Sequence, residues 1–147
     1  MISFNLEGKS PLDSAQLESI SKAISEIMKI EKVANIGLAF VDVNTIKELN
    51  SKYAGNDYPT DVLSFEYGDD EEGNIGDIAI CKDIAISQAK ENNISLEAEL
   101  TLLLVHGVLH ILGYDHQDED QIASLDAIQS DIMKKLNYEY RDFKWLH

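Results

Sequence analysis

The chain has 147 residues, of which 44% are hydrophobic, and a formal net charge of −15 at pH 7. This length and composition fit one globular domain, spanning 1–147, that is large enough to bury a hydrophobic core. The charge argues against a general nucleic-acid-binding protein, because affinity for phosphates comes mainly from Lys and Arg. It predicts weak, salt-sensitive binding to free nucleic acid.

Three features bear on the compartment. A single cysteine, Cys81, excludes an intrachain disulfide and fits a reducing cytosol, and we interpret it as a small core residue. The N-terminus lacks the basic start and apolar stretch of a secretory signal. The most apolar stretch, 100–112, is short and interrupted by two histidines, so it predicts a buried helix rather than a membrane span. We therefore expect a cytoplasmic protein without a membrane partner.

A strand and then a helix are predicted at the N-terminus. Residues 2–6 alternate apolar and polar side chains, which is the period of a half-buried strand. Ser10 and Pro11 are typical of a helix start, with the serine as the cap and the proline in the first helical position. The apolar residues that follow at helical spacing are Leu17, Ile20, Ile24 and Ile27.

The middle of the chain predicts two strands with a helix between them. The apolar run 36–41 has the length of a strand. Thr45 and Glu48 form a second capping pattern, which predicts a short helix that ends at Gly55. A loop then leads into the short apolar strand 62–65.

A hairpin and three helices complete the predicted fold. The acidic connector 66–74 is expected to be a solvated surface loop that joins the preceding strand to an antiparallel one at 76–80. Helices are expected over 83–92, from a Ser95 cap through the histidines, and from about Asp118 onward. The order β-α-β-α-β-β-α-α-α predicts an α+β domain with a mixed sheet of about four strands and about five helices.

The strongest signal is a cluster of three of the four histidines at the spacing His-x-x-x-His-x-x-Gly-x-x-His. His106 and His110 are four residues apart, so on a helix both imidazoles can face one ion. Gly113 lies where a helix commonly ends in a left-handed residue, and the resulting bend would bring His116 to the same point. Three imidazoles with an open fourth position are typical of a catalytic zinc site, although nickel, copper or iron would accept the same ligands. We expect His147, the remaining histidine, to have no function.

Two other interpretations of this cluster remain. Histidines on a buried helix can be ordinary core residues, but the glycine at the bend favours a metal site on a core helix and the turn after it. The metzincin proteases share the spacing and carry Glu directly after the first histidine as the general base. Here that position is Gly107, which cannot move a proton, so peptide hydrolysis by that route is not supported.

Three segments together resemble the YbeY family, which comprises bacterial metal-dependent endoribonucleases of ribosomal RNA maturation. They are Thr-Asp-Val-Leu-Ser-Phe at 60–65, Gly-Asp-Ile at 76–78, and the histidine segment 106–116 with Tyr-Asp between its glycine and last histidine. The resemblance runs from about residue 49 to residue 129, with the segments in the family's order.

The resemblance implies a cytoplasmic protein with a helix-flanked mixed sheet that binds zinc through His106, His110 and His116. It implies hydrolysis of single-stranded RNA in the 3′-end processing of small-subunit ribosomal RNA, and a part in ribosome quality control. The implied partners are precursor ribosomal RNA, rather than DNA, and the small ribosomal subunit or its proteins.

One position departs from the family. The family usually carries an arginine before the glycine of the loop that leads to Thr-Asp-Val-Leu-Ser-Phe, and here that position is Ala54, before Gly55. The cation expected to hold or polarise a phosphate is therefore missing from this position, although Lys52 is two residues away. Because a fixed cation opposite a developing negative charge stabilises the transition state strongly, its loss is expected to slow cleavage.

The candidate catalytic residues are Asp61 and Asp115, the motif carboxylates nearest the histidines. Either could act as the base that Gly107 cannot provide, or the metal hydroxide could attack directly. Asp115 could instead orient a neighbouring histidine, and Asp61 could cap a turn. Two alternative functions are a non-catalytic, zinc-stabilised factor that binds the small ribosomal subunit and a metal-dependent hydrolase of another substrate.

Overall fold

The computed structural model, which describes residues 1–68 and 70–140, contains a four-stranded mixed sheet and five helices within those ranges. The elements in chain order are β1 (Ile2–Glu7), α1 (Ser14–Ile27), β2 (Ala34–Val41), α2 (Val43–Ala54), β3 (Val62–Glu66), β4 (Asn74–Cys81), α3 (Lys82–Glu91), α4 (Leu96–Ile111) and α5 (Glu119–Lys135). The predicted α+β class and element order are therefore confirmed.

The sheet has the strand order β1-β2-β4-β3. β1 and β4 both pair with β2 in parallel, and β3 pairs with β4 antiparallel, as predicted for the hairpin. The alternation of side chains along β4 divides the core into two layers. Ile78 and Ile80 belong to the large cluster that includes α1, α4 and α5, whereas Ala79 and Cys81 pack with Ile46 of α2 on the other face. Cys81 is fully buried, as interpreted, and burial raises the pKa of its thiol.

The predicted starts of the first two helices were wrong by a few residues. The N-cap of α1 is Asp13, which exchanges two hydrogen bonds with Gln16, each 2.8 Å long. Ser10 instead bonds within the turn that precedes the helix. Similarly, Asp42 caps α2 by accepting from the backbone N–H of Thr45, so Thr45 is inside the helix. In both cases the carboxylate of the aspartate directly before the helix, rather than the predicted Ser10 or Thr45, accepts from a free N–H group of the first turn.

Helix α4 is the central element of the core, and all of its residues except Leu96, Glu97 and His110 are buried. Each fully buried leucine of this helix contributes about 1.5–3 kcal/mol, so packing fixes the helix against the sheet. The helix approaches β4 closely at Gly107, where an added Cβ would lie 3.1 Å from the Cδ1 of Ile78. A glycine at this position therefore lets α4 approach the sheet closely, and the positions of its histidines are fixed with it.

No single helix among the described residues is long and apolar enough to cross a membrane. Only α3 and α4 taken together pass that test of length and composition, and they are bent by 117° at the break between them.

Candidate metal centre and adjoining cleft

Three imidazole rings converge at the C-terminal end of α4. His106 and His110 are one turn apart on this helix, with ring centroids 4.8 Å apart. After the helix, Gly113 adopts φ of +102°, which confirms the predicted left-handed bend. The chain reverses there, and the ring centroid of His116 lies 5.1 Å from that of His110 and 6.0 Å from that of His106. The structure therefore brings the three predicted ligands together; His147 lies outside the described residues.

Asp115 lies beside this cluster. One potential ligand atom from each of His110, Asp115 and His116 lies within 4.8 Å of the other two. The Oδ1 atom of Asp115 accepts from the backbone N–H of His116 at 2.7 Å, and it lies 3.1 Å from the Nδ1 atom of the same histidine. These hydrogen bonds, the backbone one first, hold the pKa of the Asp115 carboxyl below its usual value. Asp115 is thus placed to orient the ring of His116 and is within reach of a cation.

His106 is the deepest of the three rings and is only 1% exposed. Its Nδ1 atom lies 2.7 Å from the Oε1 atom of Gln129, a fully buried side chain of α5. Gln129 was not among the site residues predicted from the sequence. The available signal was a polar residue on an apolar helical stripe, between Leu125 and Ile132.

The donor set fits a divalent transition-metal ion. Imidazole nitrogens with a neighbouring carboxylate are the usual protein ligands of zinc, and nickel, copper and iron accept the same groups. Hydrogen bonds to the outer nitrogen of a ligating histidine, of the kind made here by Asp115 and Gln129, are the usual companions of such ligands.

A cleft of about 270 Å³ opens over the histidines. Its walls are the end of α2, the loop 55–61, β3 and the three histidine rings. Gly107, which lies between His106 and His110 in the sequence, also lines the cleft. Ala54 lines this cleft, so the position at which the family usually has arginine does face the histidines. None of the described residues that line the cleft is a lysine or arginine. The Nζ atom of Lys52 lies 5.1 Å from the ring centroid of Tyr53.

The loop 55–61 is held by Asn50, which was also not among the predicted site residues. Asn50 is 3% exposed, and its Nδ2 atom donates to the backbone carbonyl of Tyr58 at 2.8 Å. Its own backbone carbonyl accepts from the N–H of Asn56 at 3.2 Å, across the left-handed Gly55. Both Tyr58 and Asn56 line the cleft, so one buried amide positions this wall.

Asp61 is placed differently from Asp115. It is 4% exposed, and its carboxylate accepts from the backbone N–H of Val62 at 2.7 Å and from the Nε2 atom of Gln88 in α3 at 3.2 Å. Its neighbours Thr60 and Val62 line the cleft, but Asp61 is not among the lining residues. These contacts anchor the start of β3 to α3, and a catalytic role for Asp61 stays a prediction.

Comparison with known proteins gives one consistent result. The model of the family described as Endoribonuclease YbeY matches residues 4–137. The protein named Endoribonuclease YbeY from Pelotomaculum thermopropionicum is 40% identical over 143 residues, covering 90% of this chain and 94% of the relative. Its counterpart in Carboxydothermus hydrogenoformans is 39% identical over 137 residues, covering 92% and 96%. A solution structure of a Thermotoga maritima protein matches with a TM-score of 0.61 and 29% identity, covering 93% of this chain and 92% of that chain. The chain therefore belongs to the YbeY family of endoribonucleases.

Proposed function

We propose that this protein is a zinc-dependent endoribonuclease that hydrolyses single-stranded RNA, as one cytoplasmic domain over 1–147. The observation that carries the proposal is the convergence of three imidazoles beside Asp115 in an open cleft. Membership in a family named for endoribonuclease activity supplies the substrate class. The same membership supports precursor ribosomal RNA as the substrate, with cleavage near the 3′ end of the small-subunit RNA and a part in ribosome quality control.

The chain's own residues divide the work of this reaction. His106, His110 and His116 would hold the ion, and Asp115 would keep the ring of His116 oriented. A bound zinc ion would lower the pKa of its water towards about 7 and polarise a phosphoryl oxygen. Because Oδ1 of Asp115 already accepts from His116, Oδ2 is the atom that would take a proton from the attacking water.

Binding of the phosphate would rest on polar groups of the cleft wall. Asn56 and Ser64 line the cleft and carry amide and hydroxyl donors for phosphate oxygens, whereas the hydroxyl of Thr60, which also lines it, donates to Oδ1 of Asp61 at 3.3 Å. With Ala54 in place of the family's arginine, these neutral donors would stabilise the transition-state charge less than a guanidinium would. We therefore propose that a partner, the small ribosomal subunit or one of its proteins, supplies much of the affinity for the RNA.

The lack of lysine and arginine among the described residues that line the cleft also favours a second candidate function. A non-catalytic, zinc-stabilised factor that binds the small ribosomal subunit needs the histidine site for folding but no group for phosphate activation. Cleavage of RNA by the purified protein distinguishes the two candidates.

The test is cleavage of a precursor small-subunit ribosomal RNA fragment by zinc-loaded protein, compared with His110→Ala prepared identically. We expect discrete products from the wild type, which disappear in His110→Ala and after chelation, together with loss of tightly bound zinc from the variant. His147→Ala is the matched control and should keep both zinc and cleavage. Failure to cut by protein that demonstrably holds zinc would favour the non-catalytic factor. An unchanged metal content in His110→Ala would refute the ligand assignment.

A further inference from the structure

A hydrogen-bonded series of polar side chains, buried at its inner end and partly exposed at its outer end, leads from the histidine cluster to the segment after α5. The Nδ1 atom of His106 lies 2.7 Å from Oε1 of Gln129, and Nε2 of Gln129 donates to the hydroxyl of Tyr140 at 3.0 Å. That hydroxyl donates in turn to Oδ1 of Asp126 at 2.5 Å. His106 is 1% exposed and Gln129 is fully buried, so water does not replace these partners at the inner end.

The donors and acceptors of these contacts fit together in one arrangement. The hydroxyl of Tyr140 donates its single proton to the carboxylate oxygen of Asp126. The Tyr140 oxygen then accepts from Gln129, which must present its NH₂ group to it. The carbonyl oxygen of Gln129 therefore faces His106, and the contact at 2.7 Å requires a proton on Nδ1.

The tautomer of neutral His106 decides which of its two ring nitrogens can bind a metal. A neutral imidazole carries its proton on either Nδ1 or Nε2, and only the nitrogen without the proton has a lone pair for a metal. With the proton held on Nδ1 by Gln129, the lone pair lies on Nε2, at the opposite side of the ring. The amide of Gln129 thus decides which nitrogen is the ligand.

We propose that Gln129, itself oriented by Tyr140 and Asp126, is a positioning residue that holds His106 in the Nδ1–H tautomer with Nε2 ready to bind the metal. This inference rests on the metal site of the proposed function, and it extends that site to α5 and the segment after it. It also accounts for an amide at a position where the neighbouring α5 residues Leu125, Ile132 and Met133 are buried and apolar. Asp115 has the equivalent relation to His116, so two of the three ligands are oriented by an outer partner.

The first test measures the tautomer directly in the full chain before zinc is added. Nitrogen-15 chemical shifts and ring couplings of histidine-labelled protein distinguish Nδ1–H from Nε2–H, and His106→Ala assigns the signal. We expect His106 to be in the Nδ1–H form in the wild type. A proton on Nε2 would overturn the proposal, and this reading does not depend on whether the protein binds zinc or cuts RNA.

The second test compares two substitutions of similar size at Gln129. Gln129→Leu removes the acceptor and should shift His106 towards the Nε2–H form and weaken zinc binding by about 10–100-fold. Gln129→Glu keeps an acceptor for Nδ1–H and should retain the tautomer, although it cannot donate to Tyr140 as the Gln129 amide does, so we expect the Tyr140 hydroxyl to turn and donate to the new carboxylate. If both variants keep the fold by circular dichroism but bind zinc equally, the positioning role is wrong.

A matched pair of substitutions also tests the outer end of this hydrogen-bonded series of side chains. Asp126→Ala removes the acceptor of the Tyr140 hydroxyl and should increase the Nε2–H population of His106. Asp131→Ala removes a carboxylate from an exposed position of α5 and should leave the tautomer unchanged. Equal spectra for these two variants would exclude Asp126 from the mechanism. Wild-type protein with the expected tautomer but no zinc affinity would contradict the proposed function instead.

Discussion

Asp61 and Asp115, which were both predicted from the sequence as candidate catalytic residues, have different surroundings. Asp115 is partly exposed beside the histidines and gives one oxygen to His116. Asp61 is buried, with its carboxylate between the start of β3 and Gln88 of α3. A substitution of each residue should therefore change a different measurable property.

We expect Asp115→Asn to lower the rate of RNA cleavage while zinc affinity stays within a few-fold of the wild type. The asparagine oxygen can still accept from His116, but the amide cannot take a proton from water. Zinc affinity by competition with a chromogenic chelator, measured beside the cleavage rate, separates the two effects. A parallel loss of zinc affinity and cleavage would show that Asp115 acts through the metal site rather than as a base.

Asp61→Ala is expected to lower the free energy of unfolding by about 1–3 kcal/mol, because the buried N–H of Val62 loses its acceptor. Urea unfolding measures this change, and the cleavage rate is then compared under conditions in which both proteins are folded. A rate equal to that of the wild type would assign Asp61 a structural role only. A lower rate from fully folded variant would support the catalytic assignment.

At the scale of single residues, the sequence predicts contacts within one segment but not contacts between segments that are distant in the chain. The three histidines were predictable because helical spacing and one left-handed glycine bring them together within a single segment. Gln129 and Asn50 reach the same site from other helices, and no local rule connects them to it. Each is nevertheless a polar residue on the apolar face of its helix, and a buried amide requires a partner.

At the scale of elements, the site depends on how closely α4 approaches the sheet. Gly107 lies against Ile78, and Gly76 of β4 lies under the last turn of α4. A Cβ at Gly76 would lie 2.6 Å from the backbone oxygen of Phe65 and 2.8 Å from the Cδ1 of Ile111. These glycines therefore permit the packing that places His110 over the sheet.

Gly76→Ala is expected to lower the free energy of unfolding by about 1–3 kcal/mol, because neither β3 nor α4 can move without loss of packing. It should also weaken zinc binding, since Ile111 directly follows His110. The matched control is Gly8→Ala, where φ is +80° and, apart from Gly8 and its two chain neighbours, no described residue has an atom within 4 Å of the added Cβ. This control costs backbone strain of about 1–2 kcal/mol and should leave zinc affinity unchanged. Unchanged zinc affinity in Gly76→Ala would show that the site does not depend on this contact.

The element order and the hairpin were predictable because apolar periodicity changes clearly between strands and helices along the chain. The helix starts were less predictable, because several side chains before α1 and α2 can serve as caps. Asp13 was preferred over Ser10 through its reciprocal bonds with Gln16, a choice that depends on three-dimensional geometry. The order of strands in the sheet also follows from packing rather than from local pattern.

For the molecule as a whole, the main physical question is how an acidic protein engages RNA. The net charge of −15 repels a polyanion, and none of the described cleft-lining residues is a lysine or arginine. Few phosphate contacts mean little release of counterions, and therefore low affinity for free RNA. This balance explains why a partner that supplies positive charge belongs to the proposed function.

Ala54→Arg tests this explanation at the position where the family usually carries arginine. Because Ala54 lines the cleft, the guanidinium should reach a phosphate of bound RNA and neutralise it. For single-stranded RNA, one added phosphate contact should make the slope of log K for RNA binding against log salt concentration steeper by about 0.7. It should also raise the cleavage rate by about 10-fold or more, a smaller effect than that of a fully preorganised charge-stabilising donor.

The matched control is Ala15→Arg, which makes the same change in net charge at an exposed position of α1. Since Ala15 is not a cleft-lining residue, this variant should reproduce only the general effect of one added charge, a small and uniform gain in affinity. RNA binding at several salt concentrations, with cleavage measured on the same fragment, compares the two proteins directly. A steeper salt dependence in Ala54→Arg alone would place the RNA backbone in the histidine cleft. Identical behaviour of the two variants would mean that the end of α2 does not contact the substrate, and that the missing arginine is not what limits this enzyme.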